Sequence, residues 1–355
     1  MVFLAGNNCS GRSFQPLLDW VAGSEAVADD YTVYAFDYRG SGGSSYEQPI
    51  GSLDDFARDF TDVIAGVPAL AEGGIILVGH SMGFGVAQRM VDLDPSKYRG
   101  VVSLAGIGTR GVRVLFAGAT TGTDPISGKT YAGGDWSDSL EAIVFHQRSW
   151  FGENRTADRV ATVWNMVVFN DILKVDPTNG RATQPAYLDD PGYQNAIDDV
   201  LSIRYMPQSL DASHRFNGTA QTLSHTNQDG TVVSIPGEDR LSSFAGMPVL
   251  LVKATTNRAT WRGDLVIDDS ITQNTKYDLK TAGARVTALL LDSDRGYDHG
   301  FPIHHPAETM RLVSAFAESL GEPTRESLDA VFGAGTYEVY SDEETSWERE
   351  AYGGF

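Results

Sequence analysis

The sequence has one cysteine, no long apolar run and no signal-peptide pattern, and each shortage excludes a class of protein. Cys9 alone cannot form an intramolecular disulfide, so nothing indicates an oxidising compartment. No apolar stretch approaches the roughly 20 residues that a membrane-spanning helix needs. The N-terminus lacks the basic segment that opens a secretory signal. We therefore expect a cytoplasmic protein with no membrane partner.

Basic residues are also scarce. The chain carries 27 Lys and Arg against 47 Asp and Glu, a net charge of -20. Because phosphate binding requires basic patches, we expect no nucleic acid partner. The chain has no G-x-x-x-x-G-K-[ST] motif, and His304 and His305 have no carboxylate or cysteine cluster at ligand spacing. We expect neither a cofactor nor a metal. The expected partner is a small-molecule substrate, and a homo-oligomer is left open.

Short apolar runs alternate with amphipathic helical runs at both ends of the chain. The predicted strands cover residues 2–5, 31–36, 75–78, 100–104, 248–252 and 285–291, and the helices after the last two cover 270–281 and 306–320. This alternation predicts right-handed βαβ units and therefore an α/β fold, with a mostly parallel sheet and helices on both faces. Between about residues 106 and 244 the alternation is lost, which predicts a large insertion.

The chain is organised around residues 74–91, GIILVGHSMGFGVAQRMV. Four apolar residues precede Gly79-His80-Ser81-Met82-Gly83, and a helical run follows. A G-x-S-x-G between a strand and a helix is a nucleophile elbow, in which a strained turn lifts the serine Oγ clear of the sheet. At Gly79 and Gly83 a β-carbon would collide with neighbouring backbone. Ser81 is the predicted nucleophile.

A serine hydroxyl needs a general base, and in proteins with this elbow the acid and then the histidine follow the serine. His299 lies between the last predicted strand and the last helix, where that base belongs. His304 and His305 are rivals, which we expect to be solvated at the start of the helix. His80 is expected to be packed. Three further histidines fall in the insertion, where any role would be in the substrate pocket: His146, His214 and His225.

The elbow, the Asp37-Tyr-Arg-Gly-Ser-Gly-Gly-Ser turn and the His299 loop together resemble the α/β-hydrolase fold superfamily, over residues 2–106 and 246–320. The chain departs from the family pattern by Ala5-Gly6 in place of His-Gly. It opens at what is the family's third strand, so the N-terminal hairpin is expected to be absent or truncated. Residues 248–316 are similar to bacterial lactone hydrolases of the zearalenone-degrading type.

The family's usual acid position, a few residues past the 249–252 strand, holds Asn257, which could orient an imidazole but could not stabilise its positive charge. A second position used in the family, after the 101–104 strand, has no carboxylate. Asp264 ranks first, because the Trp261-Arg262-Gly263 turn could fold it back under His299. The other candidates are Asp268, Asp269, Asp292, Asp294 and Asp298.

The resemblance also implies two backbone N–H donors for an oxyanion, one after the serine and one after the first strand. Those are Met82 and Asn7. Cys9 is expected to be a small buried residue rather than a second nucleophile, since it has no histidine near it in sequence.

These features predict an α/β-hydrolase core over residues 1–106 and 246–321, a cap over 107–245 and an acidic extension over 322–355, part of which packs. The predicted function is hydrolysis of an ester or lactone of a bulky, largely apolar molecule, which would enter beneath the aromatic-rich cap. The alternatives are acyl transfer, C–C bond cleavage or cofactor-free peroxidation on the same fold, or a ligand-binding protein that has lost catalysis.

Overall fold

The computed structural model describes residues 1–6, 9–39, 41–44, 53–109, 240–257, 262–264, 267 and 269–339, together with short strands between residues 114 and 235. In chain order the strands are β1 (Val2–Leu4), β2 (Tyr34–Phe36), β3 (Ile75–His80), β4 (Tyr98–Leu104), β5 (Val114–Leu115), β6 (Gly122–Thr123), β7 (Thr130–Tyr131), β8 (Trp136–Ser137), β9 (Leu223–Thr226), β10 (Val232–Ile235), β11 (Pro248–Ala254), β12 (Thr256–Asn257), β13 (Arg262–Gly263), β14 (Arg285–Leu291) and β15 (Tyr337–Val339).

The helices flank these strands along the chain. They are α1 (Gln15–Ala22), α2 (Glu25–Ala28), α3 (Leu53–Gly66), α4 (Pro68–Ala71), α5 (Met82–Leu93), α6 (Asp269–Thr281), α7 (Phe301–His304), α8 (Pro306–Ser319) and α9 (Arg325–Phe332). Among the residues described, no helix is long and apolar enough to cross a membrane.

Seven strands form one sheet in the order β15-β14-β11-β4-β3-β1-β2. Every neighbouring pair is parallel except β14 and β15. Helix α1 packs against α8, and α3 packs against α5. The sheet therefore has helices on both faces, as the alternation of strands and helices predicts.

The central strands are longer than the apolar runs predict. Strand β3 extends to His80, which pairs with Leu104, and β11 extends to Ala254, which pairs with Leu291. Because parallel strands continue as long as their neighbours supply hydrogen bonds, polar residues are drawn into the ladder. At the sheet edge the opposite holds: β2 begins only at Tyr34, three residues later than predicted.

The first part of the predicted extension over residues 322–355 packs against the core. Helix α9 buries Leu328 and Phe332, and β15 pairs antiparallel with the end of β14. Residues 340–355 lie outside the described part of the chain. Of the predicted cap, 107–245, the structure describes the two ends, residues 107–109 and 240–245, and short antiparallel strand pairs between them, so its boundaries stay predictions.

The core depends on close contact between α8 and β4. Phe316 is fully buried, and a β-carbon at Gly100 would lie only 2.8 Å from its ring. We expect Phe316→Ala to lower the free energy of unfolding by about 3–5 kcal/mol, because it leaves a cavity that the rigid strands cannot close. Urea denaturation measures this. The exposed Val63 supplies a control, Val63→Ala, and an equal loss in both variants would contradict the packing described.

Candidate active site

Ser81 lies on a strained turn between β3 and α5. Its φ of 52° and ψ of -118° fall outside the regions that a side chain favours, a strain of about 1–3 kcal/mol. The surrounding backbone maintains this conformation: the Ser81 amide donates to the Leu104 carbonyl at 3.0 Å, and the Ile107 amide donates to the Ser81 carbonyl at 3.1 Å. The predicted strand-turn-helix context of the G-x-S-x-G is therefore present.

The glycines on either side allow this turn to be tight. A β-carbon at Gly79 would lie 2.4 Å from the Phe84 nitrogen, and one at Gly83 would lie 2.1 Å from the Leu4 carbonyl oxygen. Both distances are shorter than any contact that a side chain tolerates, which confirms the steric reason predicted for the two glycines.

Helix α5 begins at Met82, so the Met82 amide is among those without an intrahelical acceptor. Asn7, the other predicted oxyanion donor, lies outside the described residues.

His299 and Asp264 are in direct contact. The His299 Nδ1 lies 3.1 Å from Asp264 Oδ1 and 3.2 Å from Oδ2, and both side chains are almost wholly buried. A carboxylate can only accept, so Nδ1 donates when Asp264 is ionised, and Nε2 of a neutral imidazole is then a proton acceptor. This is the arrangement that a serine nucleophile requires of its base.

The environment of Asp264 keeps it ionised. Burial alone would raise the pKa of Asp264, but this is outweighed by His299, which attracts the carboxylate and donates to it, by the Lys253 ammonium and by the Ile267 amide, so that the pKa lies below its usual value. The Ile267 amide donates to Asp264 Oδ1 at 2.8 Å. A carboxylate held in this way can stabilise a protonated imidazole without taking its proton.

Asp264 reaches His299 from an antiparallel strand pair, β12 and β13, rather than from the simple turn expected at residues 261–263. Gly263 pairs with Thr256, and the Asp264 amide donates to the Thr255 carbonyl at 3.2 Å. Gly263 has a φ of 78°, and a β-carbon there would lie 1.6 Å from the Thr255 oxygen. Only glycine allows the chain to return so closely on itself.

His80 is packed, as predicted, but it also makes a specific bond that the sequence does not reveal. Its Nε2 lies 2.8 Å from the His299 carbonyl oxygen, and the two ring centroids are 5.0 Å apart. Because a carbonyl only accepts, Nε2 carries the proton, which leaves Nδ1 unprotonated. Among the described residues Nδ1 has no hydrogen-bond partner, and it faces the space left open at Gly6. The residue preceding Ser81 thus fixes the loop that carries His299 beside the elbow.

The other candidate histidines are used elsewhere. His304 lies 3.8 Å from Asp298, and His305 lies 2.8 Å from Glu308. Both side chains are partly buried rather than simply solvated: His304 ends the short helix α7, and His305 precedes α8, which carries Glu308. His225 lies on β9, and His146 and His214 are outside the described residues. Cys9 is buried, as predicted.

The rival acids are also accounted for where the structure describes them. Asp298 accepts from the Gly300 amide, Asp292 caps a short 3₁₀ turn through the Asp294 amide, and Asp269 pairs with Lys253. Asn257 is the end of β12, and Asp268 lies outside the described residues. Asp264 is the carboxylate that the structure brings to His299. The sequence offered one signal that was missed, a lysine in an otherwise apolar strand, at Lys253.

The close return of the chain at Gly263 can be tested against a matched glycine. Gly246 has nearly the same φ, 75°, but open space around it. We expect Gly263→Ala to lower the free energy of unfolding by about 2 kcal/mol or more beyond the loss in Gly246→Ala. Both variants place alanine at a similar positive φ, but only the β-carbon at residue 263 collides with the Thr255 carbonyl. Denaturant unfolding of both variants measures the difference. Equal losses would show that the strand pair tolerates a β-carbon.

Burial of His80 predicts a specific pH dependence of stability. Its burial, with the neighbouring His299, lowers the pKa of His80 from 6.5 to about 3. The unfolded chain therefore gains a proton near pH 6.5 that the folded chain takes up only near pH 3. The stabilising difference is fully present above pH 6.5 and is lost as the pH falls towards 3, by about 1.4 kcal/mol per pH unit.

We expect His80→Gln, which keeps an N–H donor but does not titrate, to reduce the slope of the free energy of unfolding against pH between pH 3 and 6.5. The reduction should correspond to the uptake of up to about one proton fewer on unfolding. Unfolding by urea at a series of pH values gives the slope for each protein. Identical slopes in the wild type and the variant would show that His80 is not held neutral by the fold.

The same fold occurs in solved esterases. The structure is similar to an esterase from Rhodococcus sp. ECU1013, with a TM-score of 0.55 and 18% identity over 90% of each chain. It is also similar to a thermophilic esterase from Thermogutta terrifontis, with a TM-score of 0.53 and 12% identity over 90% of each chain. An esterase from Exiguobacterium antarcticum has a TM-score of 0.51 and 15% identity, over 89% of this chain and 91% of that one.

No curated protein matches the sequence. The similarity of residues 248–316 to lactone hydrolases therefore stays a prediction. A family model, that of the alpha/beta hydrolase family, matches residues 1–312, which is most of the chain. With the parallel sheet and the strained serine turn at the end of β3, this match shows that the chain belongs to the alpha/beta hydrolase family.

Proposed function

We propose that the chain is a serine hydrolase that cleaves a carboxylic ester or lactone through an acyl-enzyme. The observation that carries this proposal is the buried contact of Asp264 with His299, on a loop that His80 attaches to the strand bearing Ser81. Family membership and the similar esterase folds are consistent with a hydrolase. They do not identify its substrate.

In the proposed reaction the Ser81 Oγ attacks the carbonyl carbon while its proton passes to His299 Nε2. Asp264 stabilises the imidazolium that forms, and the Met82 amide, with Asn7 as the second donor, binds the oxyanion. His299 then gives the proton to the leaving alkoxide, which departs as an alcohol from an ester and remains attached to the acyl group as a hydroxyl after a lactone opens. A water molecule, deprotonated by the same imidazole, attacks the acyl-enzyme; the imidazolium returns this proton to Ser81 Oγ as the acyl–Oγ bond breaks and the carboxylic acid is released.

The substrate class is inferred from composition. The predicted cap holds many aromatic and apolar residues, including Trp150, Phe151, Trp164, Phe169, Tyr187, Tyr193 and Tyr205. Pockets lined in this way bind bulky apolar molecules and use a few polar groups for orientation. We therefore propose an ester or lactone whose reacting carbonyl is attached to a large, apolar group. The cytoplasmic location and the small-molecule partner remain predictions from composition.

The proposal is tested by intact mass after reaction with a fluorophosphonate probe. We expect one adduct on the wild type and none on Ser81→Ala, with labelling slowed by roughly 10³-fold or more in His299→Ala and Asp264→Asn, because the serine is then no longer activated. His305→Ala is a control, since His305 pairs with Glu308, and it should label like the wild type.

Turnover of p-nitrophenyl esters and of aromatic lactones by the same variants then separates hydrolysis from other reactions of an activated serine. Labelling without turnover of either class would favour acyl transfer or C–C bond cleavage. A folded wild type that does not label would favour a protein that binds its ligand without catalysis.

A further inference from the structure

A lysine side chain is completely buried at the end of β11. Lys253 forms an ion pair with Asp269 at the start of α6, and its ammonium donates to Thr256 Oγ1 at 2.9 Å. Transfer of an ammonium from water into a protein interior costs several kcal/mol unless it is paired and hydrogen-bonded. The Lys253 ammonium therefore needs both partners, and its bonds to them fix the positions of Asp269 and Thr256.

The partners of Lys253 lead directly to Asp264. The Thr256 amide donates to Asp269 Oδ1 at 3.2 Å, and the Thr256 hydroxyl lies 2.8 Å from the Asp264 carbonyl oxygen and 3.3 Å from that of Ile267. Because an ammonium only donates, the hydroxyl accepts from Lys253 and directs its own proton towards these two carbonyls. The backbone carbonyls of Asp264 and Ile267 are thus attached, through the Thr256 hydroxyl, to one buried cation.

This attachment explains how Asp264 can serve as the acid although it lies outside the family's usual acid position. Asp264 lies at the end of a strand pair, well beyond β11, and such a segment needs fixed contacts to present one side chain accurately. We propose that Lys253 is a positioning residue, which through Thr256 holds the backbone of Asp264 and Ile267 so that the Asp264 carboxylate meets His299 Nδ1. This role rests on the proposed hydrolase function.

Position, rather than charge, is the larger effect expected of Lys253. The Lys253 ammonium contributes to lowering the pKa of Asp264, after the larger effect of His299, and its ion pair with Asp269 offsets part of that charge. The bonds through Thr256 act on geometry, and a misplacement of about 1 Å in a catalytic group lowers the rate by roughly 10²-fold. Lys253→Met keeps most of the volume but removes the charge and the bond to Thr256 together, whereas Thr256→Val removes the hydroxyl and leaves the charge in place.

We expect Lys253→Met to lower kcat for a p-nitrophenyl ester by roughly 10²-fold per folded molecule, with KM little changed, because the substrate contacts are not touched. Thr256→Val, which loses only the hydroxyl, should lower kcat in the same direction. In an Asp264→Ala background neither change should lower kcat further, because a positioning residue has no effect once its carboxylate is absent.

Arg89→Met provides the matched control. Arg89, on α5, is a buried cation of similar size that pairs at 3.4 Å with Asp54 on α3. It should lower stability but leave kcat per folded molecule unchanged. The proposal is overturned if Lys253→Met and Thr256→Val keep full kcat, or if their losses multiply with that of Asp264→Ala. If Lys253→Met does not fold, Thr256→Val decides alone.

Proton NMR distinguishes failure of this proposal from failure of the proposed function. A His299 Nδ1 proton bonded to a carboxylate resonates far downfield, and its signal should disappear in Asp264→Ala, weaken or disappear in Lys253→Met and persist in Arg89→Met. That pattern in a protein without hydrolase activity would support the positioning role and refute the hydrolase. Hydrolysis by the wild type, with an unchanged signal in Lys253→Met, would refute the positioning role alone.

Discussion

The contact between the Asp264 carboxylate and the His299 imidazole is the interaction on which the rest of the site depends. Both groups are almost wholly buried, so water contributes little to their solvation, and each must be satisfied by the other and by backbone. The Ile267 amide donates to the Asp264 carboxylate, while the Thr255 carbonyl and the Thr256 hydroxyl bond to the backbone amide and carbonyl of Asp264. Low solvent exposure thus makes the pair strong and also demands that its surroundings be rigid.

That rigidity extends along the carboxyl edge of the sheet. Ser81 and Ala105, at the ends of the adjacent strands β3 and β4, both have a positive φ without being glycine. Such conformations persist only where neighbouring bonds fix the chain. The Ala105 amide donates to the Val252 carbonyl at 2.7 Å, so the strain at the end of β4 is maintained by β11, the strand that carries Lys253.

The sequence predicts the parts of this site that follow from local pattern. Strand, elbow and helix around Ser81 can be read from apolar spacing and two glycines, and His299 follows from its position before the last helix. Asp264 could only be ranked first among several carboxylates, because its place depends on pairing between β12 and β13, each only two residues long. So short a pair has no periodicity, and its defining feature, the close approach of Gly263 to Thr255, is a tertiary contact. The catalytic roles of all three residues remain predictions.

The polar residues that the sequence did not explain are those with a physical cost in an apolar strand. His80 and Lys253 both lie in the last two residues of strands that are otherwise buried and apolar. Neither would be favoured there by packing, since a neutral imidazole and an ammonium both lose hydration. Each offsets that loss with a bond to one half of the same pair: His80 to the backbone of His299, and Lys253, through Thr256, to the backbone of Asp264. A buried polar residue at a strand end is therefore better explained by the loop it holds than by the strand it belongs to.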